Sequence, residues 1–198
     1  MWDDHYAKPD YVYGKAPSRF LVSQKQWLVP DQKALAVADG EGRNSVYLAQ
    51  QGLRVTAMDS SSVGIAKAEE LARANNLDIE YQLADAKTWG WPANTYDLVV
   101  AIFIQFAGPE FRQQIFEDMI KTLKPGGILL LHGYTPRQLD YGTGGPSAVA
   151  NLYTKDILLE AFSDLELLRL EEYDCELQEG TGHSGMSALI DLVARKQP

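Results

Sequence analysis

Two aspartates and a pair of glycines have the spacing of a nucleoside site. Gly40 and Gly42 interrupt the stretch "AVADGEGRNSVYLA" between a strand-like run and a helix-like one. In an open parallel sheet, ligands bind at the carboxyl ends of the strands. Glycines in the first strand-to-helix turn let the main chain approach a ligand closely, and the following helix points its positive end at it. Asp59 ends the next apolar run, about 20 residues on, where a carboxylate can accept from both hydroxyls of a ribose. Asp85 ends the third run, placed to accept from an adenine amino group while the Ala86 N–H meets a ring nitrogen. Either aspartate alone serves equally well as a helix cap. In succession at three strand ends, these features point to an adenosine-containing ligand.

Other residues are candidates for acting on a second molecule. His132 closes the fifth strand-like run and His183 falls in the loop between the last two. Histidine titrates near neutrality and can serve as a base, so both are catalytic candidates, with a satisfied structural histidine as the alternative. Consecutive N–H groups in "YGTGGP" (Tyr141 to Pro146) can form an anion-binding nest or merely make the turns of a lid. Arg137 is the nearest cation in sequence, so Arg137 and Tyr141 are candidates for holding an oxyanion or carboxylate. Tyr6, Tyr11 and Tyr13 crowd the amino-terminal stretch, either packed on the surface or covering the site, with Tyr13 the substrate-side candidate. Cys175 sits mid-strand beside acidic residues and reads as structural.

The elements that must position these groups alternate. Strands are expected at Lys33 to Ala38, Arg54 to Asp59, Ile79 to Ala84, Asp97 to Phe103 and Ile128 to His132. Helices are expected between them at Asn44 to Gln51, Ser62 to Asn75 and Pro109 to Leu123. The last of these repeats Phe111, Ile115, Phe116, Met119, Ile120 and Leu123 at helical spacing and stops at "KPGG". A short helix at about Thr154 to Phe162 follows, and then runs at Leu165 to Leu177 and Met186 to Ala194 that pair as an antiparallel hairpin. The expected organisation is one domain over residues 1–198, with residues 1–32 an arm or cap and residues 33–198 the core.

Composition narrows the class. With 198 residues, 45% hydrophobic and 23% charged, the chain has the balance of a soluble globular protein. A formal charge of -9 disfavours a nucleic-acid partner. The single cysteine excludes an internal disulfide and cysteine-cluster metal sites and fits a cytoplasmic setting. The acidic amino terminus lacks the features of an export signal, and the apolar runs fall short of the ~20 residues a membrane span needs.

As a set, "ADGEGRN", "VTAMDSS", "LADA", "YDLVVAIF" and "LKPGG" resemble the motifs of the class I S-adenosylmethionine-dependent methyltransferases. "GEGRNSVYLA" and the overall length are most similar to the small-molecule branch related to the tellurite-resistance methyltransferases. The resemblance implies an α/β, three-layer Rossmann-like fold with a mostly parallel seven-stranded sheet and a carboxy-terminal antiparallel hairpin. It implies S-adenosyl-L-methionine as cofactor, held by Ala38, Asp39, Gly40, Glu41, Gly42, Asn44, Asp59, Ser60, Asp85, Ala86 and Ile102. It implies methyl transfer to a small molecule, with thiol, selenium and tellurium species as candidate acceptors. One departure stands out: the family's first motif usually begins with an acidic residue two positions before its first glycine, and here Ala36 and Ala38 stand at those places, leaving Asp39 or Glu41 to meet the cofactor ammonium. "IFIQF" replaces the amine-cradling signature of amino-group methyltransferases, so Gln105 and Phe106 are candidates for lining the pocket, with Gln105 the substrate-side candidate. The alternatives are a nucleotide-dependent oxidoreductase, for which Ser45 supplies the third small residue, and a non-catalytic cofactor-binding protein. No metal is called for, and the oligomeric state is left open.

Overall fold

The computed structural model describes residues 2–198. Residues 2–32 form an arm with two short helices, α1 (Trp2–Tyr6) and α2 (Arg19–Ser23). The core follows as β1 (Lys33–Val37), α3 (Arg43–Gln50), β2 (Arg54–Asp59), α4 (Ser62–Ala74), β3 (Glu80–Leu83), β4 (Tyr96–Ile102), α5 (Pro109–Thr122) and β5 (Leu123–Tyr134). It closes with α6 (Gln138–Tyr141), α7 (Lys155–Ala161), β6 (Leu165–Glu179) and β7 (His183–Lys196).

The seven strands form one sheet in the order β3-β2-β1-β4-β5-β7-β6. The first five run parallel, whereas β7 pairs antiparallel with both β5 and β6. This is the expected Rossmann-like architecture. Because β1 lies between β2 and β4, the chain leaves it in opposite directions on its two sides, and a crevice opens at the β1/β4 strand ends.

Alternation along the strands divides the core. Leu35, Val37, Val99, Ala101, Leu129 and Leu131 pack against Ile115, Phe116 and Met119 of α5 and Leu158 of α7. Ala34, Ala36, Leu98, Val100 and Leu130 face the other way, toward Phe20, Leu21 and Leu48. Buried on both faces, these strands read as nearly continuous apolar runs. The apolar stripe of α5 buries Ile115, Phe116 and Met119 as its spacing predicts. The caps are polar: Ser61 Oγ accepts from the Gly64 N–H, and Thr154 Oγ1 from the Ile157 N–H.

Three boundaries depart from the sequence expectation. The fifth strand begins at Leu123, not Ile128, because "LKPGG" passes through an irregular register between Tyr96 and Leu98. The stretch after Tyr134 contains the four-residue helix α6. The terminal hairpin is longer than expected, with only Gly180 to Gly182 between its strands, so His183 opens β7 and pairs with Glu179 instead of riding in a loop. Gly180 makes this tight turn at φ 67°, and a side chain there would meet the Val12 carbonyl and the Gly14 amide of the arm.

Candidate active site

A cleft of about 260 Å³ opens at the carboxyl ends of β1 to β4. The strands deliver the expected groups: Ala38 and Asp39 from β1, Asp59 and Ser60 from β2, Asp85 and Ala86 from β3, and Ile102 from β4. Asn44 lines it from the first turn of α3. Ala38 (φ 49°) and Phe103 (φ 56°) end adjacent strands in the left-handed region, which residues with side chains rarely occupy. Such backbone strain concentrates where a ligand must be approached closely.

The glycine turn is built around Asp59. The Gly40 N–H donates to Asp59 Oδ2 at 2.8 Å and the Ser61 N–H to Oδ1 at 2.8 Å. Each carboxylate oxygen keeps a lone pair for a further donor. Burial raises the Asp59 pKa against the pull of these N–H groups. Gly42 has φ 89° and sits so close to α4 that a side chain would collide with Ala68. Gly40 and Gly42 thus shape the turn and do not wall the cleft.

Asp39 is the unusual member. Oδ1 accepts from the Ser45 N–H at 3.2 Å, whereas Oδ2 is sealed from solvent with no hydrogen-bond partner. Burial, with the Asp59 carboxylate adding to it, pushes its pKa up to about 7. An orphaned carboxylate oxygen beside a cleft asks for a cationic donor. A cofactor ammonium fits that demand, so these residues suit S-adenosylmethionine. Glu41 is turned elsewhere. Its carboxylate accepts from the Val12 N–H at 2.7 Å and pairs with Lys67 at 2.7 Å, facing the arm and α4 instead of the cleft.

The arm covers the site. Trp2, Tyr6 and Tyr13 line the cleft, and the Tyr6 hydroxyl lies against Gly40. Asp3 latches α1 to the start of α4, accepting from Ser61 Oγ at 2.6 Å and from the Val63 N–H at 3.2 Å. Lys67 grips the arm again by donating to the carbonyls of Lys8 and Asp10.

The two histidines separate. His183 reaches the cleft between the rings of Tyr13 (centroids 4.4 Å apart) and Phe103 (4.1 Å), with Nδ1 hydrogen-bonded to the Tyr134 hydroxyl. Burial first, and the Arg43 charge second, lower its pKa to about 3. Among the described residues Nε2 has no partner. His132, expected to face the cleft, is withdrawn from it: its ring stacks on Phe20 (4.8 Å) and its Nδ1 meets Asp191 at 2.8 Å. Asp191 also accepts from Arg169 and Tyr173.

Three substrate-side candidates are placed elsewhere too. Gln105 is buried and clamps Tyr134, its Nε2 donating to the Tyr134 carbonyl and its Oε1 accepting the Tyr134 N–H. It organises a loop and does not line the cleft. Arg137 is exposed and pairs with Asp174 at 2.9 Å, and Tyr141 donates to the same carboxylate. Their attachment to β6 carries both away from the cleft. Cys175 is half-buried on β6, with a thiol pKa raised by burial.

Phe106 lines the cleft as expected, and the residues missed in the sequence are Trp2, Arg43, Phe103 and Phe111, all of which line it too. Arg43 carried a signal, being the one basic residue inside "ADGEGRN". The aromatic residues carried none, because only the folded arm and the β4 loop bring them together.

Residues 34–127 match a family model described as a methyltransferase domain. Phosphoethanolamine N-methyltransferase 1 of Arabidopsis thaliana is 31% identical over 116 residues, covering 56% of this chain and 23% of that protein. TehB of Haemophilus influenzae, named a probable S-adenosyl-L-methionine-dependent methyltransferase, is 27% identical over 168 residues, covering 83% of this chain and 57% of that one. The chain therefore spans from about a quarter to somewhat over half of these relatives' lengths. The crystal structure of Haemophilus influenzae TehB superposes over 100% of this chain and 68% of its own with a TM-score of 0.77 at 24% identity. That of magnesium protoporphyrin IX methyltransferase from Synechocystis PCC 6803, with S-adenosylmethionine bound, gives 0.69 at 16% identity over 94% of this chain and 88% of that one. Among the described residues, no helix is long and apolar enough to cross a membrane.

Proposed function

From a methyltransferase domain set in the fold of the class I S-adenosylmethionine-dependent methyltransferases, we infer that this chain binds S-adenosylmethionine and transfers its methyl group to a small molecule. The observation that carries this reading is the set Asp39, Asp59 and Asp85 at three successive strand ends, with Asp39 Oδ2 buried and unpartnered. In the proposed complex Asp59 accepts from the ribose hydroxyls, Asp85 and the Ala86 N–H hold the adenine, and Asp39 meets the ammonium. Ser60, Asn44, Ala38 and Ile102 complete the walls. Arm and core act as one unit in a cytoplasmic enzyme.

When bound, the cofactor supplies a sulfonium methyl: a lone pair on the acceptor forms the new bond to carbon as the carbon–sulfur bond breaks, and that electron pair stays on sulfur. The protein's part is to align the two molecules and exclude water. Tyr6, Tyr13 and Trp2 close the cleft from the arm side, with Phe106 and Phe111 opposite. His183, held neutral, presents Nε2 to the acceptor as a hydrogen-bonding and positioning group. A histidine with a pKa of about 3 is a feeble base, so the site suits an acceptor that is already nucleophilic near pH 7. Thiolates and reduced selenium or tellurium species have that property, and they are the acceptor class we propose.

Isothermal titration with S-adenosylmethionine, S-adenosylhomocysteine and NAD tests the reading. Micromolar binding of the two sulfur nucleosides with NAD inert supports it. Binding of NAD alone would overturn it in favour of an oxidoreductase, and binding without turnover on any acceptor would favour a sensor.

A further inference from the structure

Arg43 is the one cation that lines the cleft among the described residues, and it is about nine-tenths buried. It opens α3 directly after the glycine turn and extends toward the β6–β7 hairpin, where Nη1 lies 2.7 Å from Glu179 Oε2. The two atoms are in charge contact without the alignment of a hydrogen bond, and neither has another partner. The other Glu179 oxygen accepts from the Arg19 N–H at 2.9 Å. A guanidinium carries five N–H donors, and a buried ion pair is stabilising only when the remaining donors are also met. Here a single carboxylate oxygen faces the group, and Nε and Nη2 have no acceptor among the described residues.

The surroundings indicate what would meet them. The Tyr13 ring lies 6.0 Å from the guanidinium carbon, and His183 stacks on the same ring. All three lining carboxylates, Asp39, Asp59 and Asp85, belong to the ends of β1, β2 and β3. Beyond β4 the lining consists of Phe103, Phe106, Phe111 and His183. The end of the cleft left for the acceptor therefore has apolar rings, a neutral imidazole and a cation, and no lining carboxylate to attract an amine; the nearby Glu179 is engaged by Arg43 and the Arg19 N–H.

We propose that Arg43 is the recognition group for the acceptor, and that the acceptor is a small anion whose apolar part rests on Phe103 and Phe106. That the bound anion receives a methyl group rests on the function proposed above; that the cleft selects an anion through Arg43 does not. Glu179 acts as the resting counter-ion, holding the guanidinium in place until the ligand's negative group engages the free N–H donors.

The test uses benzoate and benzamide, equal in shape and different in charge, titrated into the full chain both free and saturated with S-adenosylhomocysteine. The wild type should bind benzoate at least tenfold more tightly than benzamide. R43Q should bring benzoate down to the level of benzamide while leaving S-adenosylhomocysteine affinity within about twofold, and R43K should retain part of the preference. Since R43Q leaves Glu179 buried and uncompensated, R43Q/E179Q, which removes both charges, repeats the measurement in a neutral background. Equal binding of the two probes by the wild type, binding of neither, or a preference that survives R43Q/E179Q would overturn the proposal. So would a selective loss of S-adenosylhomocysteine affinity in both variants, which would assign Arg43 to the cofactor carboxylate. If the wild type fails to bind S-adenosylhomocysteine, the methyltransferase reading falls, and the benzoate contrast in the free chain still decides the role of Arg43.

Discussion

Tyr13 of the arm stacks on His183 of the last strand with ring centroids 4.4 Å apart, joining the two ends of the chain over the cleft. This stack, with Phe103 on the opposite face, buries the imidazole and lowers its pKa to about 3. Between about pH 3 and 6.5 the unfolded chain holds a proton on this group that the folded chain does not, so His183 contributes stability that is fully present above pH 6.5 and lost as pH falls. The slope is at most ~1.4 kcal/mol per pH unit. H183Q should remove that slope, and Y13A should raise the His183 pKa toward its ordinary value, as read by urea melts and imidazole NMR titration.

Asp39 titrates with the opposite sign. Its pKa is raised to about 7, so between about pH 4 and 7 the folded chain holds a proton that the unfolded chain has lost, and its contribution to stability falls as pH rises. The two slopes oppose each other over most of this range and are separable only in single variants. A cationic ligand on Oδ2 should expel the proton. Binding of S-adenosylmethionine near pH 6 should thus release protons, seen as buffer-dependent titration heats. D39N should abolish the release and weaken binding at least tenfold.

Asp59 and Glu41 should be distinguishable by affinity. D59A leaves the buried N–H groups of Gly40 and Ser61 unpaired, at a cost of about 1–3 kcal/mol each, and removes the proposed ribose acceptor. Its S-adenosylhomocysteine Kd should rise more than tenfold. E41A breaks the Val12 and Lys67 contacts and should lower the Tm, while changing that Kd no more than about threefold.

The arm should respond to its latch. D3A removes the acceptor that ties α1 to Ser61 and Val63. Faster trypsin cleavage after Lys15, slowed again by S-adenosylhomocysteine, is the expected result. An unchanged cleavage rate would show that the Lys67 grip alone holds the arm.

Much of this arrangement was legible in the linear chain because it depends on local order. The alternation of apolar runs with helix-period stretches dictates a parallel sheet, and a strand's carboxyl end is a position in sequence. Ala38, Asp39, Asp59, Ser60, Asp85 and Ala86 could therefore be assigned to one rim before any contact was known. The glycine turn was equally local, since Gly40 and Gly42 both adopt positive φ.

The direction of each side chain across distance was decided by the tertiary structure. Whether Asp39 or Glu41 faced the cleft turned on Lys67 and Val12, which lie 26 residues after and 29 before Glu41 in sequence and capture its carboxylate. Likewise His132, at a strand end, and His183, in the expected hairpin loop, look equally able to face the cleft. Asp191 and Phe20 draw the first away from the cleft, whereas Tyr13 and Phe103 pin the second beside it. Gln105, Arg137 and Tyr141 found partners in Tyr134 and Asp174 through the longer hairpin and the loop it carries. Sequence by itself thus determined the sheet, the turn and the rim of strand-end aspartates, because main-chain periodicity and strand ends are local. Only folding decided the acceptor end, where charge pairing and ring stacking between residues far apart in the chain select which group faces the ligand.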